Sequence, residues 1–364
     1  MSDPRPTEIH LGRRSLLFAA AGLGLAACTG DPRPVTSTAT TTLGPSGTTA
    51  GTPSTTSTTS ATTPTTAPTT TPVAPSTTTT AAATPLPASA VWPVPPGDVE
   101  PAAKQPGARL VESLTAWAPG QSGAGPAGDR VTATGIPADR AAALTAAAAP
   151  FLRAGDEATS RVISAQYGGL TADLASILVT YEQWSRTAQG QVVRGGSAAD
   201  VRLSRQSGGW VVTELRPADP GPALANPSAL VTEVLANSRI RLPPSAAADL
   251  AAGNLMPKPM RALLTLANTY DIDVSIVHSA HPTNVFETNR LSDHTRKRAF
   301  DVWAVNGQPV LGASTSASLV DGFMRATVAA GAYNVGGPRQ LSGAAYFSDR
   351  THSDHVHVGF NADT

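Results

Sequence analysis

Residues 34–97 run for 64 positions without one charged side chain, in Thr, Pro, Ser, Ala and Gly with a few apolar exceptions. No hydrophobic period of 3.6 or of 2 survives there, so the tract has neither a helix face nor a strand face to bury. It is expected to be a disordered stalk, within a linker spanning 29–100. As polyproline-like chain at about 3.1 Å per residue it would reach on the order of 200 Å, and Thr/Pro tracts of this kind are often O-glycosylated. Folded structure is therefore expected mainly after residue 100. Lys plus Arg and Asp plus Glu balance at 26 each, which gives no basic field for a nucleic acid. The single cysteine, Cys28, excludes an intrachain disulfide and any Cys-rich zinc site, leaving imidazoles and carboxylates as metal ligands.

Residues 1–28 read as an export signal. Arg13-Arg14 precedes an apolar run, 16–27, too short to span a bilayer. The arginine pair followed by Ser15-Leu16-Leu17-Phe18 resembles a twin-arginine signal, whose pathway exports folded proteins. Leu25-Ala26-Ala27-Cys28 resembles a bacterial lipobox. That resemblance implies a lipidated Cys28 and a protein anchored on the extracellular face of the cell membrane, reaching into the wall; two acyl chains suffice for stable anchorage where one does not.

Patterning begins at residue 101. A helix is expected over 137–153, with Pro137 at an early helical position and Gly155 closing it. Runs rich in Val, Ile, Tyr and Trp follow at 161–166, 175–184, 200–204 and 210–215, the last two joined by Arg205-Gln206-Ser207-Gly208-Gly209 as a hairpin. The spacing predicts a small α+β module over 101–217, one helix on an antiparallel meander, with a faint resemblance to cystatin-like or NTF2-like modules. It holds no histidine and no cysteine, and no chemistry is expected from it. After the break Pro217-Ala218-Asp219-Pro220-Gly221-Pro222 a second region spans 226–364. Helices are expected at 226–235, where Asn226 caps and Pro227 opens the first turn, at 258–267 and at 316–330. Strands are expected at 272–277, 300–305 and 356–360, with Asn306-Gly307 as a tight turn.

Six of the seven histidines fall between His278 and His357. One cluster is Ser292-Asp293-His294-Thr295-Arg296-Lys297-Arg298-Ala299-Phe300-Asp301, in which a loop-to-strand turn can bring His294 and Asp301 to one point. The other is His352-Ser353-Asp354-His355-Val356-His357, in which a strand puts His355 and His357 on one face. Two nitrogens, one oxygen and an open fourth position compose a catalytic zinc site.

The first cluster resembles the S-x-H-x-x-G-x-A-x-D signature of zinc D-Ala-D-Ala carboxypeptidases, and the second the H-x-H element of the wider LAS group (lysostaphin, D-Ala-D-Ala metallopeptidases, hedgehog). The resemblance covers roughly the last 130 residues. It implies an antiparallel-sheet metallopeptidase domain, zinc held by His294, Asp301 and His357, and a catalytic base at Asp354 or, as in other branches of the group, His355. Ser292 matches the signature's serine and joins Arg290 as a substrate-binding candidate. The substrate class implied is the peptidoglycan stem peptide, cut by a carboxypeptidase or an endopeptidase. Two departures matter. Lys297 occupies the signature's Gly position, so the loop either takes an ordinary backbone angle or is distorted. Where the family carries an Arg-Ser that grips the substrate carboxylate, this chain has Val277-His278-Ser279-Ala280-His281, which leaves Arg290 as the nearby positive charge; His278 and His281 are expected to be structural or to line a cleft. The rival expectation is a non-catalytic wall-binding lipoprotein, and a third makes the first module an interaction domain beside a vestigial peptidase. The oligomeric state is left open.

Overall fold

Every residue from Ala175 to Gln183 is buried, although a strand presents alternate side chains to opposite sides. Both faces of this strand are therefore covered. In the computed structural model, which describes residues 84–152 and 155–362, Ala175, Ile177, Val179 and Tyr181 pack into one core, while Leu178 belongs to a separate small cluster with Ala198, Ala218 and Ile276. The first face meets helices and the second meets the rest of the molecule. The expected export signal, Cys28 and the expected stalk as far as residue 83 lie outside the described residues.

The chain opens with α1 (Pro101–Thr115), α2 (Ala124–Ala133) and α3 (Ala138–Ala147), then a 3₁₀ turn at Ala149–Phe151. Four strands follow, β1 (Glu157–Leu170), β2 (Leu174–Arg186), β3 (Val192–Gln206) and β4 (Gly209–Pro217), paired antiparallel in the order 1-2-3-4. This is the expected meander, with longer strands and two helices more than the sequence indicated. The linker also ends earlier than residue 100. Ser160 N donates to Ser89 Oγ at 3.1 Å, Trp92 N donates to Glu112 Oε1 at 2.6 Å, and the Trp92 ring packs against the first core. An indole is too apolar to stay in solvent when a groove is within reach.

The second region comprises α4 (Ala229–Ala236), β5 (Ile240–Arg241), α5 (Pro244–Ala251), α6 (Pro257–Ala267), β6 (Ile272–Ile276), β7 (Ala299–Val305), β8 (Gln308–Pro309), α7 (Ala317–Ala329), β9 (Asn334–Gly336), β10 (Tyr346–Phe347) and β11 (Val356–Gly359). Its sheet runs 10-9-11-7-6-5, with β8 hairpinned onto β7. The centre is antiparallel, and the edge pairs β10–β9 and β5–β6 are parallel. The cap of α4 is Ser228, whose hydroxyl accepts from Val231 N, rather than Asn226. The turn at Asn306-Gly307 has φ of 52° and 73°, the left-handed pair that a two-residue hairpin needs.

Alternation along β7 assigns the faces. Phe300 and Val302 enter a core shared with Leu263 of α6 and Phe323 of α7, so Asp301 points to the other side. On that side the first module covers the sheet. The described molecule is thus mixed α+β, with helices outside and the free face of one sheet lying over part of the free face of the other. Among the described residues no helix is long and apolar enough to cross a membrane.

Candidate metal centre

Strand register brings the first two candidate ligands together. In the antiparallel pair β7–β11, His357 stands opposite Asp301, and directly opposed residues project to the same face. The third arrives from the loop before β7. His294 is fully buried, and its Nδ1 lies 2.7 Å from the Val277 carbonyl oxygen at the end of β6. A carbonyl only accepts, so Nδ1 carries a proton and Nε2 is the nitrogen available to a metal. That Nε2 is 3.1 Å from Asp301 Oδ1 and 3.2 Å from His357 Nδ1, and the last two atoms are 3.1 Å apart. Ligand atoms about 2.0 Å from a tetrahedral zinc stand roughly 3.3 Å from one another. The residues therefore fit a metal ion: three donor atoms form a nearly equilateral face, and the orienting hydrogen bond on His294 is of the type that metal-ligating imidazoles carry.

His281 adds a further nitrogen. Its ring stacks on His294 with centroids 4.0 Å apart, and ligand atoms of His281, His294 and Asp301 all lie within 4.8 Å of one another. The tighter set is His294, Asp301 and His357, with His281 lining the adjoining cleft. His278 turns away, its Nδ1 donating to the His294 carbonyl at 2.7 Å.

The electrostatics follow from burial. Desolvation pushes the Asp301 carboxyl up, but His294 and His355 beside it outweigh that and hold it well below the usual carboxylate range. Burial likewise opposes a charged His294, yet Asp301 leaves this imidazole above its ordinary value. His357 goes the other way: burial lowers it to about 4 despite its contact with Asp301. A neutral imidazole at His357 and an ionised carboxylate at Asp301 are the forms that bind a metal.

Asp354 and His355 separate in role. Asp354 Oδ1 accepts from His355 Nδ1 at 2.6 Å, while Oδ2 faces Lys104 Nζ at 2.5 Å and accepts from Tyr167 N at 3.1 Å. Both carboxylate oxygens are engaged, and Asp354 is absent from the cleft wall. His355 lines the cleft, and its Nε2 lies 3.8 Å from Asp301 Oδ2. The histidine, not the aspartate, reaches the cleft that His357 also lines.

This cleft measures about 340 Å³, and its walls include Phe286, Arg290, Ser292, Phe347 and His352. Arg290 is exposed, and among the described residues no carboxylate pairs with it. Ser292 is buried, and its Oγ accepts from His294 N at 3.2 Å, so it braces the ligand loop. Lys297 has φ of 61°: the loop keeps the left-handed angle expected of the signature's glycine, and the ligands beside it still converge.

The first module enters the site, which the spacing of the histidines and carboxylates does not indicate. Gln166 Nε2 donates to Asp301 Oδ2 at 2.7 Å, Tyr167 and Leu170 line the cleft, and Lys104 reaches Asp354. The absence of histidine and cysteine from 101–217 does not extend to its Gln and Lys side chains, which are the groups that reach the site. One available signal was Lys104 on the apolar stripe of α1, in helical register with Ala108, Val111 and Thr115, all buried.

No family model matches the chain, and no curated protein does. Among solved structures, a nuclear transport factor 2-like superfamily protein from Salmonella enterica serovar Typhimurium is 10% identical, with 22% of this chain and 58% of that one covered and a TM-score of 0.18. A protein of unknown function from Mycobacterium tuberculosis is 19% identical, with 36% of this chain and 65% of that one covered and a TM-score of 0.17. The chain spans less than two thirds of either, and scores of this size assign no shared fold.

Proposed function

We propose that the chain is a cell-surface zinc peptidase that hydrolyses peptidoglycan stem peptides, with a D-Ala-D-Ala carboxypeptidase-like domain over 226–364 and a lipid anchor at Cys28. The observation that carries the reading is the face formed by His294 Nε2, Asp301 Oδ1 and His357 Nδ1, 3.1–3.2 Å on each edge, beside a cleft that His357 and His355 line. The chemistry such a site supplies with zinc bound is polarisation of the scissile carbonyl and acidification of a bound water towards neutrality. The chain's own residues do the rest. His355 keeps its Nδ1 proton on Asp354, so its Nε2 lone pair faces the cleft, takes the proton of the attacking water and returns it to the leaving amine. Asp354 orients that imidazole. Arg290, exposed on the cleft wall and without a carboxylate partner among the described residues, is the group suited to a substrate carboxylate.

Digestion of purified peptidoglycan by the exported portion, followed by mass spectrometry of the fragments, tests this. Release of shortened stem peptides that stops with a chelator and with His357→Ala supports it. A protein that binds zinc and wall but yields no fragments would instead be the wall-binding lipoprotein.

A further inference from the structure

Asp301 has two carboxylate oxygens, and only Oδ1 belongs to the three-atom face. Its partner Oδ2 is taken by the Gln166 amide at 2.7 Å. Gln166 cannot flip without losing its other bond, because Ser275 Oγ donates to its Oε1. All three side chains are at most 2% exposed. A similar arrangement stands behind His355. Asp354 holds the imidazole through Oδ1, and Oδ2 is fixed by Lys104 Nζ and by the backbone N–H of Tyr167. Lys104 is 1% exposed and is itself clamped by Asp98, while its ammonium lies 4.3 Å from the centroid of the Tyr167 ring. The irregular pairing of β1 between Tyr167 and Gly169 is the kind of bulge that re-aims a strand's groups at a site.

We propose that the first module is a working part of the site: Gln166 is the positioning residue for the ligand Asp301, and Lys104 is the positioning residue for the Asp354–His355 pair. Simple adhesion between the two regions is a poor account of these contacts. A buried ion pair gives up much of its attraction to desolvation and is weak glue beside apolar packing of the same volume, and an amide aimed at one oxygen of a ligand carboxylate constrains how that carboxylate turns. The kinetic half of this inference rests on the peptidase reading; the metal half does not.

The test uses the full exported portion with zinc alone as probe, in competition with a chromogenic chelator, and then a stem peptide as substrate. Circular dichroism confirms folding. Gln166→Met should bind zinc about 10- to 100-fold more weakly, the usual effect of losing a group that orients a ligand. Lys104→Met should keep zinc affinity and KM while kcat falls at least about tenfold, with Lys104→Arg recovering part of it. Should Lys104→Met fail to fold, the double variant Asp98→Asn/Lys104→Met removes the second unpaired charge and takes its place. Folded variants that differ from the parent only in thermal midpoint, with zinc affinity and kcat unchanged, would reduce the module to a docking partner and overturn the inference. If the parent binds zinc but cleaves nothing, the peptidase reading falls, and unchanged zinc affinity in Gln166→Met then overturns the inference by itself. A parent that binds no zinc overturns both.

Discussion

Lys297 holds a left-handed backbone angle, φ 61°, at the bend that delivers His294. Two backbone bonds pin it, Lys297 N to the His294 carbonyl at 2.8 Å and Met256 N to the Lys297 carbonyl at 2.9 Å. The conformation costs an L-residue about 1–2 kcal/mol, against about 0.4–1 kcal/mol that a glycine loses through its freer unfolded chain. Lys297→Gly should therefore raise stability by about 0.5–1 kcal/mol in urea titration, whereas Lys297→Val should lower it. The division of labour among the histidines is testable at the same scale. His357→Ala should abolish zinc retention measured by atomic absorption. His355→Ala should leave the metal in place and cut kcat by about 10²–10⁴-fold, the range of general-base contributions.

At the scale of elements, the loop between β6 and β7 and the end of β1 depend on each other. A Cβ on Gly169 would lie 2.0 Å from Phe286 Cγ, so the strand reaches the cleft wall only because this position has no side chain. Gly169→Ala should cost about 1–3 kcal/mol, the usual penalty of overpacking, and Phe286→Ala in the same chain should recover part of it, read as a coupling energy in a double-mutant cycle. For α4, Ser228→Ala should cost about 1 kcal/mol while Asn226→Ala costs little, because Ser228 makes the capping bond. The sequence shows β2, β7 and β11 because they are runs rich in β-branched and aromatic residues, and it shows His294 and Asp301, seven positions apart in one loop-to-strand turn, and His357, two after His355 on one strand, because each candidate sits in a compact local cluster. It hides α1 because Pro106 and Gly107 lie inside that helix and argue against it by propensity, a bias that burial of Leu110, Val111 and Leu114 overrides. It hides Gln166 and Lys104 because each meets its partner across 135 and 250 positions, and nothing local in a strand glutamine says what it will touch.

Across the whole molecule, a ligand that binds the native state alone stabilises it by mass action. Zinc removal should lower the thermal midpoint of the parent but not of His357→Ala, and calorimetry with and without chelator checks it. Chain order has a further effect. β11 is the last strand along the sequence, yet it sits inside the sheet, between β9 and β7, and it carries His357. The sheet is therefore completed from its middle, by residues that emerge from the ribosome after every strand they join. Until then β7 and β9 present unpaired edges, the state most open to mispairing, and Asp301 waits for the ligand opposite it. Closure of the sheet and assembly of the three-donor face thus become one late event in the life of the chain, which the proposed twin-arginine route, carrying only folded cargo, would require before export.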